Sequence, residues 1–265
     1  MMKNQITDLI SAAKDEGINT LLSSDVFKEA VIELGKKIVE EQAANLIGGL
    51  LSAASPRVHG IILSYKQNRF ERNMTRLVKE LTRRIEDLEI NYVSLSDDMR
   101  ELYKTQFSEM LLDSVIDERQ EEKIKWGVNG FVNMMTDESN ENIMQIFFDT
   151  LTELTVLDID TLKMHHIRSD LNIYELQKKY NIDYDRVRLV KEKLVRLGLL
   201  TRKNDEQRDK NIDEITEYLQ KLEQDSKRTR PQGVKLPNSI KKISNNDSYN
   251  ITRLGSGFLA SIGEV

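Results

Sequence analysis

Residues 172–202, NIYELQKKYNIDYDRVRLVKEKLVRLGLLTR, constrain this chain more than any other stretch. Asn172 followed three residues later by Glu175 is a capping-box pattern, in which each side chain satisfies an orphan backbone N–H. Ile173, Leu176 and Tyr180 then recur at helical spacing and predict one apolar face. Asn181-Ile182-Asp183 reads as a tight turn, with Asp183 as a second N-cap. Val187, Val190, Leu194 and Leu197 give a second helix its core stripe. Gly198 stands just past the last of them, where a left-handed C-cap needs no Cβ. Leu199, Leu200 and Thr201 suit a short strand. Two short helices, a tight turn and a strand predict a helix-turn-helix that opens into a wing.

Ile173 and Leu176 in the first helix, Val187 and Leu194 in the second, and the exit Leu197-Gly198-Leu199 resemble the winged-helix superfamily, broadly its MarR- and PadR-like bacterial regulators. The later segment YNITRLGSGFL, residues 249–259, resembles the strand and final helix that close such domains. The resemblance implies a winged-helix domain over residues 157–265 and DNA binding as its activity. The chain departs from the pattern at residues 203–248, a long insertion where a wing is normally a short hairpin. Ile212, Ile215, Leu219 and Leu222 make part of it an amphipathic helix. Such a helix is marginal alone, so a docking surface or a dimer mate is implied. Residues 227–237, KRTRPQGVKLP, carry no acidic residue and two prolines, and Lys241 and Lys242 follow. This segment reads either as a mobile basic arm suited to phosphate-backbone or minor-groove contact, or as a solvated linker.

If the Val187 stripe faces the core, Asp185, Arg188, Leu189, Glu192 and Arg196 face outward, with Arg186 and Lys193 at the flanks. Arg186 and Arg188 suit base readout from the exposed N-terminal turns of the helix. Asp185 and Glu192 would repel phosphates, and an exposed Leu189 points to protein contact. The candidate DNA-binding residues are therefore Arg186, Arg188, Lys193 and Arg196, with Lys227, Arg228 and Arg230 adding backbone affinity. Winged helices also dock proteins, so fold alone does not choose between DNA and a protein partner.

Residues 1–156 read as an all-α bundle. Ile6 to Ala13 is a short amphipathic helix, and Phe27, Val31, Leu34 and Ile38 give the next its apolar positions. Residues 43–63 are small and apolar, with two readings. One is a membrane-active hairpin; the other is a buried helix pair that turns at Pro56, with Gly and Ala allowing close packing. Pro56, Arg57 and His59 cut the run short of a membrane span, so integral insertion is not expected. Residues 61–89 predict one long helix with a coiled-coil-like seam of Phe70, Met74, Leu77, Leu81, Ile85 and Leu88. On its other side Arg69, Arg72, Arg76, Lys79 and Arg83 form a basic stripe about 20 Å long. That stripe is either a second phosphate-contacting surface or a solvated face partly neutralised by Glu71, Glu80 and Glu86. Gly127 and Gly130, bracketed by Trp126 and Phe131, predict a bend between two helical halves. Ile143, Ile146, Phe147, Leu151 and Leu154 predict a strongly apolar helix. Residues 64–73 loosely resemble uncharacterised proteins of low-GC Gram-positive bacteria and their prophages, which implies no activity.

With 265 residues the chain has room for two domains. It has no cysteine, which removes disulfides, zinc–thiolate sites and a thiol nucleophile. The start MMKNQITDLISAAKDEG shows no secretory signal, which makes the cytoplasm the expected location. Net charge is −5, so any affinity for nucleic acid must come from local patches. Neighbouring His165 and His166 point about 100° apart on a helix and cannot share one metal in the i, i+4 manner. They suit a helix C-terminus, where the dipole favours imidazolium. No phosphate loop, nucleophile elbow or metal-ligand spacing occurs. The expectation is a mainly α, non-enzymatic protein with no catalytic residue, metal or cofactor: an N-terminal bundle plus a C-terminal winged helix whose wing is replaced by a long helical insertion. It would be a homo-oligomeric DNA-binding regulator. The alternative is a protein-interaction or membrane-associated component of a phage or defence system.

Overall fold

The computed structural model describes residues 24–58, 64–136, 141–230, 232–237, 240–241 and 248–264. The helix expected over residues 6–13, His59, the run 61–63 and Lys242 lie outside the described residues. The fold is mainly α, with one two-stranded antiparallel sheet among the described residues. Two compact units are formed. The first is Met1–Ile159 with Phe258–Val265, and the second is Asp160–Gly257. The second is shorter than the 157–265 span expected from sequence.

In the first unit, α1 is Asp25–Lys37, capped by the Ser24 hydroxyl, which accepts from the Phe27 N–H at 3.4 Å. Its stripe of Phe27, Val31, Leu34 and Ile38 is buried, as the spacing requires. The small apolar run forms α2, Glu41–Val58. Ala43, Leu46, Ile47, Leu50, Leu51 and Ala54 are buried on one face of it. None of the described helices is long and apolar enough to cross a membrane. Two details depart from the sequence reading. The helix passes through Pro56 to Val58 and does not turn at the proline. A Cβ added at Gly48 or Gly49 meets nothing among the described residues, so neither glycine serves close packing between them.

The expected long helix is broken at Arg84 into α3, Ser64–Arg83, and α4, Ile85–Ser94. The Arg84 guanidinium donates to Asn129 Oδ1 at 2.9 Å and Asn133 Oδ1 at 2.7 Å, which holds the bend against a neighbouring helix. The seam Phe70, Met74, Leu77, Leu81, Ile85 and Leu88 is buried within the bundle and is not a free coiled-coil face. Buried polar groups in these helices close the ends of others. Asn73 donates to the Val115 and Glu118 carbonyls, and Glu89 accepts from the N–H groups of Val39 and Glu40 just before α2.

Next come α5, Asp97–Leu102, a π-helical turn at Tyr103–Phe107, and α6, Ser108–Ile116. Gly127 and Gly130 do not bend the chain: α7, Glu121–Asn133, is continuous. A Cβ at Gly130 would lie 2.0 Å from the Phe147 ring of α8, Glu141–Glu153. Gly130 is there for close approach between helices, whereas a Cβ at Gly127 would make ordinary contacts. Phe147 and Leu151 of α8 are buried, as is Leu154 just beyond it, whereas Ile143 and Ile146 are exposed. Phe258 stacks on Phe147 at a 5.5 Å centroid distance, and Asn129 and Asn133 donate to the carbonyls of Ile262 and Ser261 at 2.8 Å. Trp126 Nε1 donates to Glu264. These bonds are why the last residues of the chain count with the first unit.

Candidate nucleic-acid interface

Within the second unit, α10, Ile173–Tyr180, and α11, Tyr184–Arg196, flank a three-residue turn; α9, Val156–Lys163, precedes them. The capping box is formed in both directions: the Glu175 N–H donates to Asn172 Oδ1 at 3.1 Å and the Asn172 N–H to Glu175 Oε2 at 3.2 Å. Asn181 takes the left-handed conformation at φ 50°, which Asn tolerates better than most side chains. Asp183 caps α11 by accepting from the Arg186 N–H. The buried Asp160 carboxylate accepts from Lys179 Nζ at 2.6 Å and the Tyr180 hydroxyl at 2.7 Å, which ties the turn to the preceding helix.

Gly198, at φ 72°, ends α11 in a Schellman motif: the Leu199 N–H reaches the Leu194 carbonyl and the Gly198 N–H that of Val195, both at 2.9 Å. β1, Leu200–Arg202, then pairs antiparallel with β2, Tyr249–Ile251, in the register Leu200 to Ile251 and Arg202 to Tyr249. α12, Asp205–Ser226, lies in the connection between the strands. α13, Arg253–Ser261, follows β2. Gly255 in its first turn lies so close to β1 that an added Cβ would stand 2.3 Å from the Leu199 carbonyl oxygen.

The core stripe of α11 is shifted from the expected one. Val187 and Leu194 are buried, but Val190 and Leu197 are only half-buried and Lys191 is buried between them. The Lys191 ammonium sits 5.3 Å from the centre of the Tyr249 ring. Asp185, Arg186, Arg188, Leu189 and Arg196 are exposed and Lys193 is half-buried. Glu192 does not face outward with them. Its carboxylate accepts from the Tyr249 hydroxyl at 2.7 Å and pairs with Arg202, so it is bound into the strand pair. Burial raises its pKa, but those hydrogen bonds, the Arg202 charge and more distant Arg188 outweigh burial and hold it below the usual carboxylate range. Spacing alone could not reveal this, because both partners of Glu192 come from strands.

Lys227 and Arg228 are paired with Glu223 at 2.6 Å and Asp225 at 3.6 Å. The start of the basic arm therefore closes the end of α12, while Arg230 is exposed just beyond. In the other unit, Arg72 pairs with Glu121, and Arg76 and Arg83 both pair with buried Glu80. A cleft of about 440 Å³ beside the stripe includes Arg72, Arg76, Lys79 and Glu121 in its lining. Arg119, unremarkable in sequence, joins Arg69 and Arg72 at a second cleft. Those internal pairs leave this surface less positive than the sequence spacing promises.

His165 is packed edge-on to Tyr249, its Nε2 without a hydrogen-bond partner among the described residues. Burial and the nearby Lys191 charge push its pKa down to about 4, so it is neutral at pH 7. This overturns the reading of His165 as a helix-terminal imidazolium. No group of His, Asp and Glu among the described residues is placed to hold a metal ion. Comparison with protein-family models, curated proteins and solved structures finds no match to this chain.

Proposed function

We propose that Asp160–Gly257 is a winged helix and that the chain is a non-enzymatic regulator that binds duplex DNA through α11. The observation that carries this reading is the separation of charge on that helix. Arg186, Arg188 and Arg196 remain exposed, while Glu192, one of the two acidic groups that would oppose phosphates among them, is held by Tyr249 and Arg202; the other, Asp185, stays exposed. Arg188 lies 4.0 Å from Asp185, a loose surface pair that a phosphate can displace. Arg186 and Arg188 fall in the first turns of α11, the part that reaches base edges when such a helix enters a major groove. Arg196 and Lys193, nearer its end, suit backbone phosphates, as does Arg230 beyond α12.

One observation favours docking to a protein instead: Leu189 is 67% exposed in the middle of the same face. Fluorescence anisotropy of mixed-sequence duplex DNA separates the two. At low salt the full-length protein binds, and replacing Arg186 and Arg188 by Glu lowers affinity at least tenfold with unchanged circular dichroism. Absence of binding at low salt assigns the face to a protein partner, as would an affinity indifferent to the double replacement.

A further inference from the structure

α12 spans about 33 Å at 1.5 Å per residue. Two of its polar side chains, two heptads apart on one face, are tied down. Asn211 exchanges hydrogen bonds with the Lys241 backbone at 2.8 and 3.2 Å. Asp225 accepts from the N–H groups of Gln232 and Gly233, at 3.0 and 2.7 Å, where Gly233 has φ 78°. These bonds hold the helix to the returning chain by a polar face.

Its apolar stripe lies on the neighbouring face and is exposed among the described residues. Ile212, Ile215, Leu219 and Leu222 are 59%, 42%, 57% and 36% exposed. Their steps of three, four and three are those of the a and d positions of two heptads. Four large aliphatic side chains in one line on a helix that needs packing to persist mark an interface.

We propose that this stripe is covered by the same stripe of a second copy of the chain, running antiparallel. The charges along α12 and on the four residues just past its end, where Lys227, Arg228 and Arg230 lie, choose both the partner and the direction. Residues 205–217 hold six acidic side chains against two basic ones, whereas residues 221–230 hold four basic against two acidic. An antiparallel pair lays each acidic half along the basic end of the other copy. A parallel pair would stack like on like. A two-fold axis level with Glu217 also fits the apolar residues: Ile212 meets Leu222 of the partner subunit, and Ile215 meets Leu219 of the partner subunit. Glu217 itself points away from the seam, two residues beyond the d position of Ile215. The pairing is independent of whether the unit binds DNA.

The absence of cysteine makes the test direct. Sedimentation equilibrium of the full-length protein at tens of micromolar gives twice the chain mass, and Ile215→Asp with Leu219→Asp gives the chain mass with unchanged helicity. Under oxidation, Ile212→Cys mixed with Leu222→Cys forms a crosslinked dimer, whereas Ile212→Cys alone does not. A monomeric wild-type protein overturns the proposal, whatever else then covers the stripe. So does a dimer that survives the double aspartate variant, or an Ile212→Cys protein that crosslinks to itself.

Discussion

His165, Glu192 and the glycines show how much one side chain's surroundings decide. His165 is neutral in the folded chain because charging it there would cost desolvation beside Lys191. Its folded pKa lies below the ordinary value of 6.5, so between about 4 and 6.5 the unfolded chain binds more protons. Stability is therefore complete above that window and falls as pH drops through it. Thermal melts at pH 7 and pH 5 should show a lower Tm at pH 5, and His165→Phe should make the difference smaller. A difference unchanged by that substitution assigns the pH dependence to other groups. Gly49 sits exposed in the middle of α2 with open space where a Cβ would be. Gly49→Ala should stabilise by about 0.5–1 kcal/mol, because alanine gives up less chain entropy in a helix. Denaturant midpoints check this, and a lowered midpoint would mean that the position has an unseen constraint.

At the scale of elements, helix contacts depend on which residues are small enough to admit a neighbour. α7 and α8 meet where Gly130 faces the Phe147 ring, and α13 meets the residue before β1 where Gly255 faces the Leu199 carbonyl. Gly130→Ala should cost about 1–3 kcal/mol, since the ring must leave its place in a packed core. Urea unfolding measures it; a cost under a few tenths would show that Phe147 has room to move. The same packing logic separates Gly130 from Gly49, although both are mid-helix glycines in sequence.

At the scale of the molecule, an acidic chain carries its cations in small groups. Net charge is −5, and many of the basic residues singled out by spacing are held in ion pairs with Glu80, Glu121, Glu223 or Asp225. If α11 contacts phosphates through Arg186 and Arg188, each contact adds about −0.9 to the slope of log affinity against log salt. Removing both should make that slope shallower by about two. Anisotropy titrations over a salt series read this directly, and an unaltered slope would place the phosphate contacts elsewhere on the chain.

The local grammar of the chain was legible without a structure. The Asn172–Glu175 box, the Asp183 cap, the left-handed Gly198, the α1 stripe and the amphipathic α12 all follow from residues within about four positions of one another, which is the reach of helix geometry. What the tertiary structure decided lies farther apart in sequence. Glu192 was turned inward by Tyr249, 57 residues away. The bend at Arg84 was held by Asn129 and Asn133, 45 and 49 residues on. Gly130 became a contact instead of a hinge because of Phe147, and the end of α13 joined the first unit through Asn129 and Asn133. Periodicity fixes which face of a helix is apolar, but burial of a charge and the use of a glycine depend on what another part of the chain places opposite them.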